Sequence, residues 1–407
     1  MTEKQISAGI RVLESEFGKE KVTRAIEAVQ QFRVEVPSWI FGPFGGGRFG
    51  DYMPPGAAQT IFQKLDDASF VNRLTGATPT IATHILWDFS KDGLAGDYAV
   101  AEQVARAAEE RGLHIGSVSP TYFLKGSYRG SLSADDPQVR ERYIEQTILG
   151  GRIAKDLGIR LLTLWFPDGS LYPGQIQLRS ALANLQESLE KAVSRIDSDV
   201  TILIEYKVFE PGTYSTTVSD WGTAYLLAKH LGENAGVLVD LGHHAHGKNI
   251  EQIVAYLIHA NMKAGFHFNT RYAADDDHAV EPNPEMARIF YELVQGQVIL
   301  NEDSSKNWAY MIDQCSSREN RMHAILHSVD SLQISLARAM LVDTKRLEDY
   351  QKRDEIIRAN RLFNTALLLT DVRPIVGAAR LEKNLPLDPV DAYVESGYQD
   401  KIESERK

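Results

Sequence analysis

Residues 200–207 read VTILIEYK, and this stretch decides the fold. A short apolar run ends in a carboxylate, Glu205, with Lys207 two positions on. Working outward, the same form recurs. VLVDLGHH (237–244) carries Asp240 and His243, GFHFN (265–269) carries His267, ADDD (274–277) carries Asp275 and Asp277, and YMIDQ (310–314) carries Asp313. Strands that each deliver a polar group at the C-terminal end are how a parallel α/β barrel builds a site at one mouth. The seven side chains comprise five carboxylates and two histidines. Brought together they repel one another unless divalent cations neutralise them.

The remaining pattern supplies the rest of such a barrel. Strand-like runs at Val34–Ile40, Ile81–Trp87, His114–Val118, Arg160–Phe166, Val200–Lys207, Gly236–Leu241, Gly265–Asn269 and Tyr310–Gln314, the last preceded by Val298–Asn301, alternate with amphipathic helical patterns. Helices are expected at Tyr98–Arg111, Pro137–Leu157, Leu178–Arg195, Ser219–Leu231, Ile250–Ala260 and Pro284–Leu293. Eight strands with intervening helices predict a (β/α)8 barrel, an α/β fold. An N-terminal helix precedes it, and after the eighth strand Arg321–Leu341 continues as a helix. The predicted division is a catalytic domain over 1–342 and a helical extension over 343–407. Within the extension, Asp343–Leu369 reads as one long charged helix, and residues 379–407 as an arm packed on the barrel or on another subunit.

Bulk properties narrow the function. With 43% hydrophobic and 24% charged residues, the 407-residue chain has ordinary globular composition. A net charge of −11 argues against a nucleic-acid partner. The single cysteine, Cys315, makes no intrachain disulfide, and no apolar stretch approaches a membrane span. The charged, amphipathic N-terminus lacks a signal-type apolar core, so a cytoplasmic location is expected.

Individual positions carry competing readings. Asp240 and His243, spaced i and i+3 across a strand end, offer an oxygen and a nitrogen ligand, whereas His244 and His246 read as loop or supporting residues. In an extended run Asp275 and Asp277 share one side and Asp276 faces the other; the plain alternative is an acidic turn. Asp313, flanked by Met311 and Ile312, needs a partner if buried. Glu205 and Lys207 share a strand face, with a simple salt bridge as the alternative. Oxygen and imidazole donors without thiolate favour Mn2+, Mg2+ or Co2+. His84, Trp87, Trp165 and Asp168, at other strand ends, suit a sugar-sized pocket. The loop 41–57 is rich in Gly, Pro and aromatics, and its Phe44 and Phe49 are expected to help close the site, here or in a neighbouring subunit. No Gly-Lys-Ser/Thr follows its three glycines, so it is not read as a phosphate cradle.

The motifs HILWD, LWFPDG, IEYKVFEP, STTVSDWGT, VLVDLGHH, FHFN…DDD and MIDQ span roughly residues 80 to 315 in one order. In them the chain resembles the xylose-isomerase-like barrel superfamily and, within it, the L-rhamnose isomerases of the Pseudomonas and Rhizobium type. The resemblance implies two divalent ions, usually Mn2+, and a homo-tetramer. It implies that Glu205, Asp240, His267 and Asp313 hold the first ion, while Asp240, His243, Asp275 and Asp277 hold the second. It also implies that Lys207 binds a sugar oxygen near the reacting carbons, that His84 lies beside the ring oxygen, and that Asp277 joins the catalytic groups. Trp87 and Trp165 would contribute to the substrate-binding wall, with Phe44 and Phe49 as lid residues. Two stretches depart from the family pattern: the Gly-rich Phe44–Gly50 segment, and TRYAADDDH, where His278 replaces an apolar residue.

The activity this implies is aldose–ketose isomerisation, L-rhamnose to L-rhamnulose, by a metal-assisted 1,2-hydride shift, with an enediol route through a carboxylate base as the alternative. D-Allose, L-mannose and L-lyxose are the other candidate aldoses. The rivals are a metal-dependent ketose 3-epimerase, a barrel nuclease of the endonuclease IV kind, which the negative charge disfavours, and a non-catalytic sugar-binding protein, which the full ligand set disfavours.

Overall fold

The first residues of the barrel already show how it closes. In the computed structural model, which describes residues 1–43, 53–90, 98–210, 213–271, 278–300, 306–314 and 319–406, Glu35 pairs in parallel with Met311. Its N–H donates to Tyr310 O at 2.9 Å, and its carbonyl accepts from Ile312 N at 2.9 Å. That bridge joins the first strand, β1 (Val36–Pro37), to the last, β8 (Trp308–Ile312). Between them lie β2 (Thr80–His84), β3 (His114–Ser119), β4 (Leu161–Trp165), β5 (Thr201–Glu205), β6 (Ala235–Asp240) and β7 (Lys263–Phe268). These eight strands form one all-parallel sheet in sequence order, the arrangement of a (β/α)8 barrel. A separate pair of two-residue strands, Gly169–Ser170 and Ser215–Thr216, is antiparallel and lies outside it.

Helices α1 (Glu3–Phe17) and α2 (Lys19–Gln31) precede the barrel. The helices between its strands are α3 (Ile61–Thr75), α4 (Tyr98–Glu109), α5 (Pro137–Asp156), α6 (Leu178–Val193), α7 (Trp221–Leu231), α8 (Ile250–His259) and α9 (Pro284–Gln295). Their starts have local causes. Asp136 caps α5 by accepting Gln138 N, and Pro137 follows with its missing N–H where no helical bond is lost. Asn283 and Pro284 do the same for α9. The sheet is buried between these helices and a small interior cluster of Leu203, Leu238 and Met311.

Several boundaries differ from expectation. The first strand is only two residues long, because Pro37 has no N–H for the ladder and Ser38–Phe41 turn into a 3-10 helix. The second ends at His84, and Ile85–Phe89 wind into a π-turn held by Asp88, whose Oδ2 accepts from His84 N at 2.8 Å and Ser38 Oγ at 2.5 Å. Lys64 neutralises Asp88 at 2.7 Å, so this buried carboxylate is fully engaged. Val298–Leu300 form no strand, and Leu300 has φ of 67°.

Beyond the barrel, α10 (Arg321–Met340) is followed by α11 (Thr344–Lys352) and α12 (Ile356–Asn364) instead of one long helix. The break falls at Asp354, whose φ of 57° is left-handed, a conformation Asp tolerates better than most residues. Thr365–Leu369 form a π-turn, and α13 (Arg373–Glu382), α14 (Pro389–Glu395) and α15 (Tyr398–Glu405) complete the described chain. These helices pack on their own subunit. Leu13, Val22 and Val29 share one buried cluster with Leu341, Leu347, Tyr350, Ile375 and Val376, which binds the two ends of the chain together. Helices α1 and α13 approach so closely that a Cβ on Gly9 would lie 2.4 Å from Pro374 Cγ, and one on Gly377 would lie 2.7 Å from Ile6 Cδ1. Arg406, just past α15, reaches into α3: its guanidinium meets both oxygens of fully buried Asp67 at 2.7 and 2.8 Å. Among the described residues no helix is long and apolar enough to cross a membrane.

Candidate metal centre

Strand register sets the ligands level with one another. Asp240, the last residue of β6, is paired with His267 of β7, and His267 is paired with Met311 of β8, two residues before Asp313. Glu205 ends β5 beside Leu238 of β6. Candidate ligand atoms of Glu205, Asp240, His267 and Asp313 therefore lie within 4.8 Å of one another. His267 Nδ1 stands 3.2 Å from Glu205 Oε1 and 3.6 Å from both Asp240 Oδ2 and Asp313 Oδ2. His243, on the turn after β6, adds a second imidazole, its Nδ1 3.1 Å from Glu205 Oε1.

The carboxylates are held from behind and open toward the middle. Asp240 Oδ1 accepts three N–H groups: Gly242 N at 2.8 Å, Asn269 Nδ2 at 3.0 Å and His243 N at 3.2 Å. Its Oδ2 is buried and has no hydrogen-bond partner among the described residues; nor has His243 Nδ1, despite its nearness to Glu205. Asp313 Oδ1 accepts the Trp39 indole N–H at 2.8 Å, leaving Oδ2 facing His267. An unpartnered buried oxygen and nitrogen in a pocket of carboxylates are donors shaped for a cation. The residues fit a divalent ion bound by oxygen and imidazole.

The electrostatics agree. Burial alone would lower His243, but the Asp240 and Glu205 carboxylates outweigh it and push its pKa up to about 10. His267 is likewise raised to about 9, burial being overcome chiefly by Glu205. Burial pushes Asp313 up to about 6 and raises Asp240, while for Glu205 the two histidines overcome burial and hold it well below the carboxylate range. Without a cation, the imidazoles serve as counter-ions by taking protons. A bound divalent ion would do that work instead and release them.

A wall of rings joins this centre to the other predicted groups. The Trp39 ring is edge-on to His84 at 6.4 Å, and His84 lies 4.5 Å from Trp87 and 5.6 Å from Phe123. Phe123 continues to Trp165 at 5.6 Å, and Lys207 Nζ sits 5.1 Å above the Trp165 ring. The arc returns to the ligands, since Lys207 lies two residues beyond Glu205. Lys207 is buried, and its ammonium donates to Glu210 Oε2 at 2.5 Å. Desolvation pushes His84 down to about 4, so the ring is neutral. Its Nδ1 is 2.8 Å from Thr121 Oγ1, an oxygen that also accepts Leu86 N–H at 3.3 Å. The two atoms share one proton, given by Thr121 or by Nδ1 according to the tautomer of His84.

Of the expected residues, the structure thus brings together Glu205, Asp240, His243, His267 and Asp313, and links His84, Trp87, Trp165 and Lys207 to them. Asp275, Asp276, Asp277, Phe44 and Phe49 lie outside the described residues. Asp168 does not join the pocket: Ser131 and Ser133 give it two N–H and two O–H donors at 2.7–3.0 Å, and it anchors their loop. His244 is buried behind the ligands, 2.7 Å from Tyr206 OH, and His246 is exposed. His278 pairs through its backbone with Thr270 and lies 3.2 Å from Glu319. Trp39, Phe123, Asn269 and Glu210 were not singled out by the sequence. Asn269 stands next to a strand-end ligand motif and could have been; Phe123 lies in an aperiodic stretch that gives no signal.

A family model described as a xylose isomerase-like TIM barrel matches residues 77–300. The chain belongs to this family. Relatives of this xylose isomerase-like barrel include a probable sugar isomerase of Mesorhizobium japonicum, 36% identical over 386 residues, which are 93% of this chain and 87% of the relative. A probable sugar isomerase of Rhizobium meliloti is also 36% identical, over 387 residues, with coverage of 93% and 87%. Among solved structures, an L-ribulose 3-epimerase superposes with a TM-score of 0.50 at 14% identity, covering 80% of this chain and 98% of its own. The D-psicose 3-epimerase of Clostridium cellulolyticum H10 gives 0.51 at 9% identity, with coverage of 76% and 97%. At those identities the likeness is one of fold.

Proposed function

We propose that the chain is an aldose–ketose isomerase converting L-rhamnose to L-rhamnulose, with two divalent cations, Mn2+ first among them. The observation that carries this reading is the arc running from Asp313 through Trp39, His84, Trp87, Phe123 and Trp165 to Lys207, which sets a sugar-sized aromatic wall against a carboxylate–imidazole centre. The two curated relatives described as probable sugar isomerases support the reaction class. A 6-deoxy sugar such as L-rhamnose carries a methyl group suited to such a wall.

Glu205, Asp240, His267 and Asp313 are assigned to one ion; Asp240, His243, Asp275 and Asp277 to the other. When bound, the ions would polarise the carbonyl and the neighbouring hydroxyl of the open-chain sugar. The protein's own groups act around that. His84, a neutral ring at the edge of the wall, is assigned to the ring oxygen and to ring opening. Lys207, fixed by Glu210 and by the Trp165 face, donates to the carbonyl oxygen. The rings exclude water while hydrogen moves with its electron pair from C2 to C1 and the C2 hydroxyl proton passes to the C1 oxygen. Asp277 is assigned to that proton.

Ketose formation from a panel of aldoses, by chelator-treated protein with and without added Mn2+, tests the reading. Restored turnover with the highest kcat/KM on L-rhamnose is expected. Preference for D-allose, L-mannose or L-lyxose would keep the chemistry and change the substrate. Conversion of ketoses at C3 with no aldose turned over would replace the reading by epimerisation. Deuterium at C2 should be retained in the ketose; its loss to solvent would rule out the hydride route.

A further inference from the structure

The barrel has a second end. At the N-terminal rim, opposite the metal centre, the starts of β4, β5, β7 and β8 surround a cavity of about 370 Å3. Backbone hydrogen bonds fix this rim: Thr201 N donates to Arg160 O at 2.8 Å, and Ala264 N to Asn307 O at 2.9 Å. Its lining includes apolar Leu161, Leu203 and Ala309 and cationic Arg160, Lys263 and Lys306, the last of which also engages another group. Among the described residues one carboxylate, Asp199, lines the cavity, and Lys155 already engages it at 3.2 Å. Among the described residues neither Arg160 nor Lys263 forms an ion pair. Lys263 Nζ reaches only the Thr201 hydroxyl, at 3.5 Å.

Two cations without an ion-pair partner among the described residues, Arg160 and Lys263, in a concave site on a chain of net charge −11 need an explanation. Cations gathered in one cavity repel one another, and nothing in the barrel's catalytic mouth requires them. The Arg160 guanidinium and the Lys263 ammonium, lining one space, are the kinds of donor that recognise phosphoryl oxygens. The Thr201 hydroxyl and the Asn307 amide offer neutral hydrogen bonds beside them.

We propose that this cavity at the barrel base binds a small phosphate-bearing anion, either inorganic phosphate or a phosphate monoester. The proposal is independent of the reaction at the other mouth. An occupant would tie together the first turns of four strands, so it should also raise thermal stability.

Isothermal titration of the full chain, loaded with its divalent ion, with inorganic phosphate and separately with phenyl phosphate tests this. Saturable one-to-one binding is expected, weakening as salt rises. The R160Q/K263Q variant should bind about tenfold or more weakly, and R160K/K263R, which keeps both charges, should retain most of the affinity. Phenyl phosphate binding more tightly would assign an organic phosphate resting on the apolar lining; equal affinities would assign the free ion. The proposal is overturned if neither probe saturates. It is equally overturned if R160Q/K263Q binds as well as the parent, because phosphate is then held elsewhere, as on the divalent ions. Should R160Q/K263Q fail to fold, single K263Q and R160Q variants carry the same comparison.

Discussion

At the scale of single residues, what the ligands do depends on groups that stand behind them. Trp39 is the clearest case: its indole N–H holds Asp313 Oδ1, so Oδ2 alone faces the centre. Trp39→Phe keeps the ring and removes that bond. It should weaken divalent-ion affinity by about 10–100-fold, read by titration of the chelator-treated protein, with little change in the unfolding midpoint. The ligands themselves were legible in the sequence because strand ends and alternation are local signals. Trp39 was not, because its partner lies 274 positions away. Asp168 misled for the converse reason: its strand-end place is local information, whereas the two serines that claim it come from another loop.

His84 gives a second test at this scale. Its pKa is lowered from 6.5 to about 4, so the unfolded chain takes up this proton first as pH falls. Its stabilising contribution is intact above about pH 6.5 and is lost progressively down to about pH 4, a loss of about 3 kcal/mol in all. Urea unfolding across that window should show a shallower pH slope for His84→Gln than for the parent. Equal slopes would mean that His84 is not buried in its neutral form.

Among elements, the positions of helices and strands followed from periodicity, and the errors came where one residue overrode it. Pro37 shortened the first strand, and Asp354 divided what reads as a continuous helix at 343–369. The contact between α1 and α13 was invisible for a different reason: it depends on two glycines, Gly9 and Gly377, that fit a partner element. In an exposed helix Gly→Ala stabilises by about 1 kcal/mol. Here the sign should reverse. The added Cβ of Gly9→Ala would lie 2.4 Å from the rigid Pro374 ring, and overpacking of this kind costs about 1–3 kcal/mol, measurable as a lower urea midpoint.

For the molecule as a whole, eight strands and their order were readable, and the manner in which the remaining helices fold back was not. Those helices do not show a core of their own in sequence, since they share it with Leu13, Val22, Ala25 and Val29 of α1 and α2. The Asp67–Arg406 pair is part of that return. Burial pushes the Asp67 carboxyl up more than Arg406 pulls it down, whereas for Arg406 burial is outweighed by the attraction of Asp67, which raises it. Arg406→Met should therefore destabilise by about 3–5 kcal/mol by leaving Asp67 buried and uncompensated. The double variant D67L/R406M should recover most of that loss in the same urea assay.

The same pair has a consequence in time. Asp67 sits on a helix made early in synthesis, and its partner is 339 positions later in the chain. Until Arg406 has been made, α3 cannot bury that carboxylate without leaving its charge unmatched, and β1 cannot complete its bridge until Met311 has followed. A nascent chain must therefore keep its first third loosely docked through most of translation. The segments around Glu35 and Asp67 reach their final packing only once their late partners, Met311 and Arg406, are made.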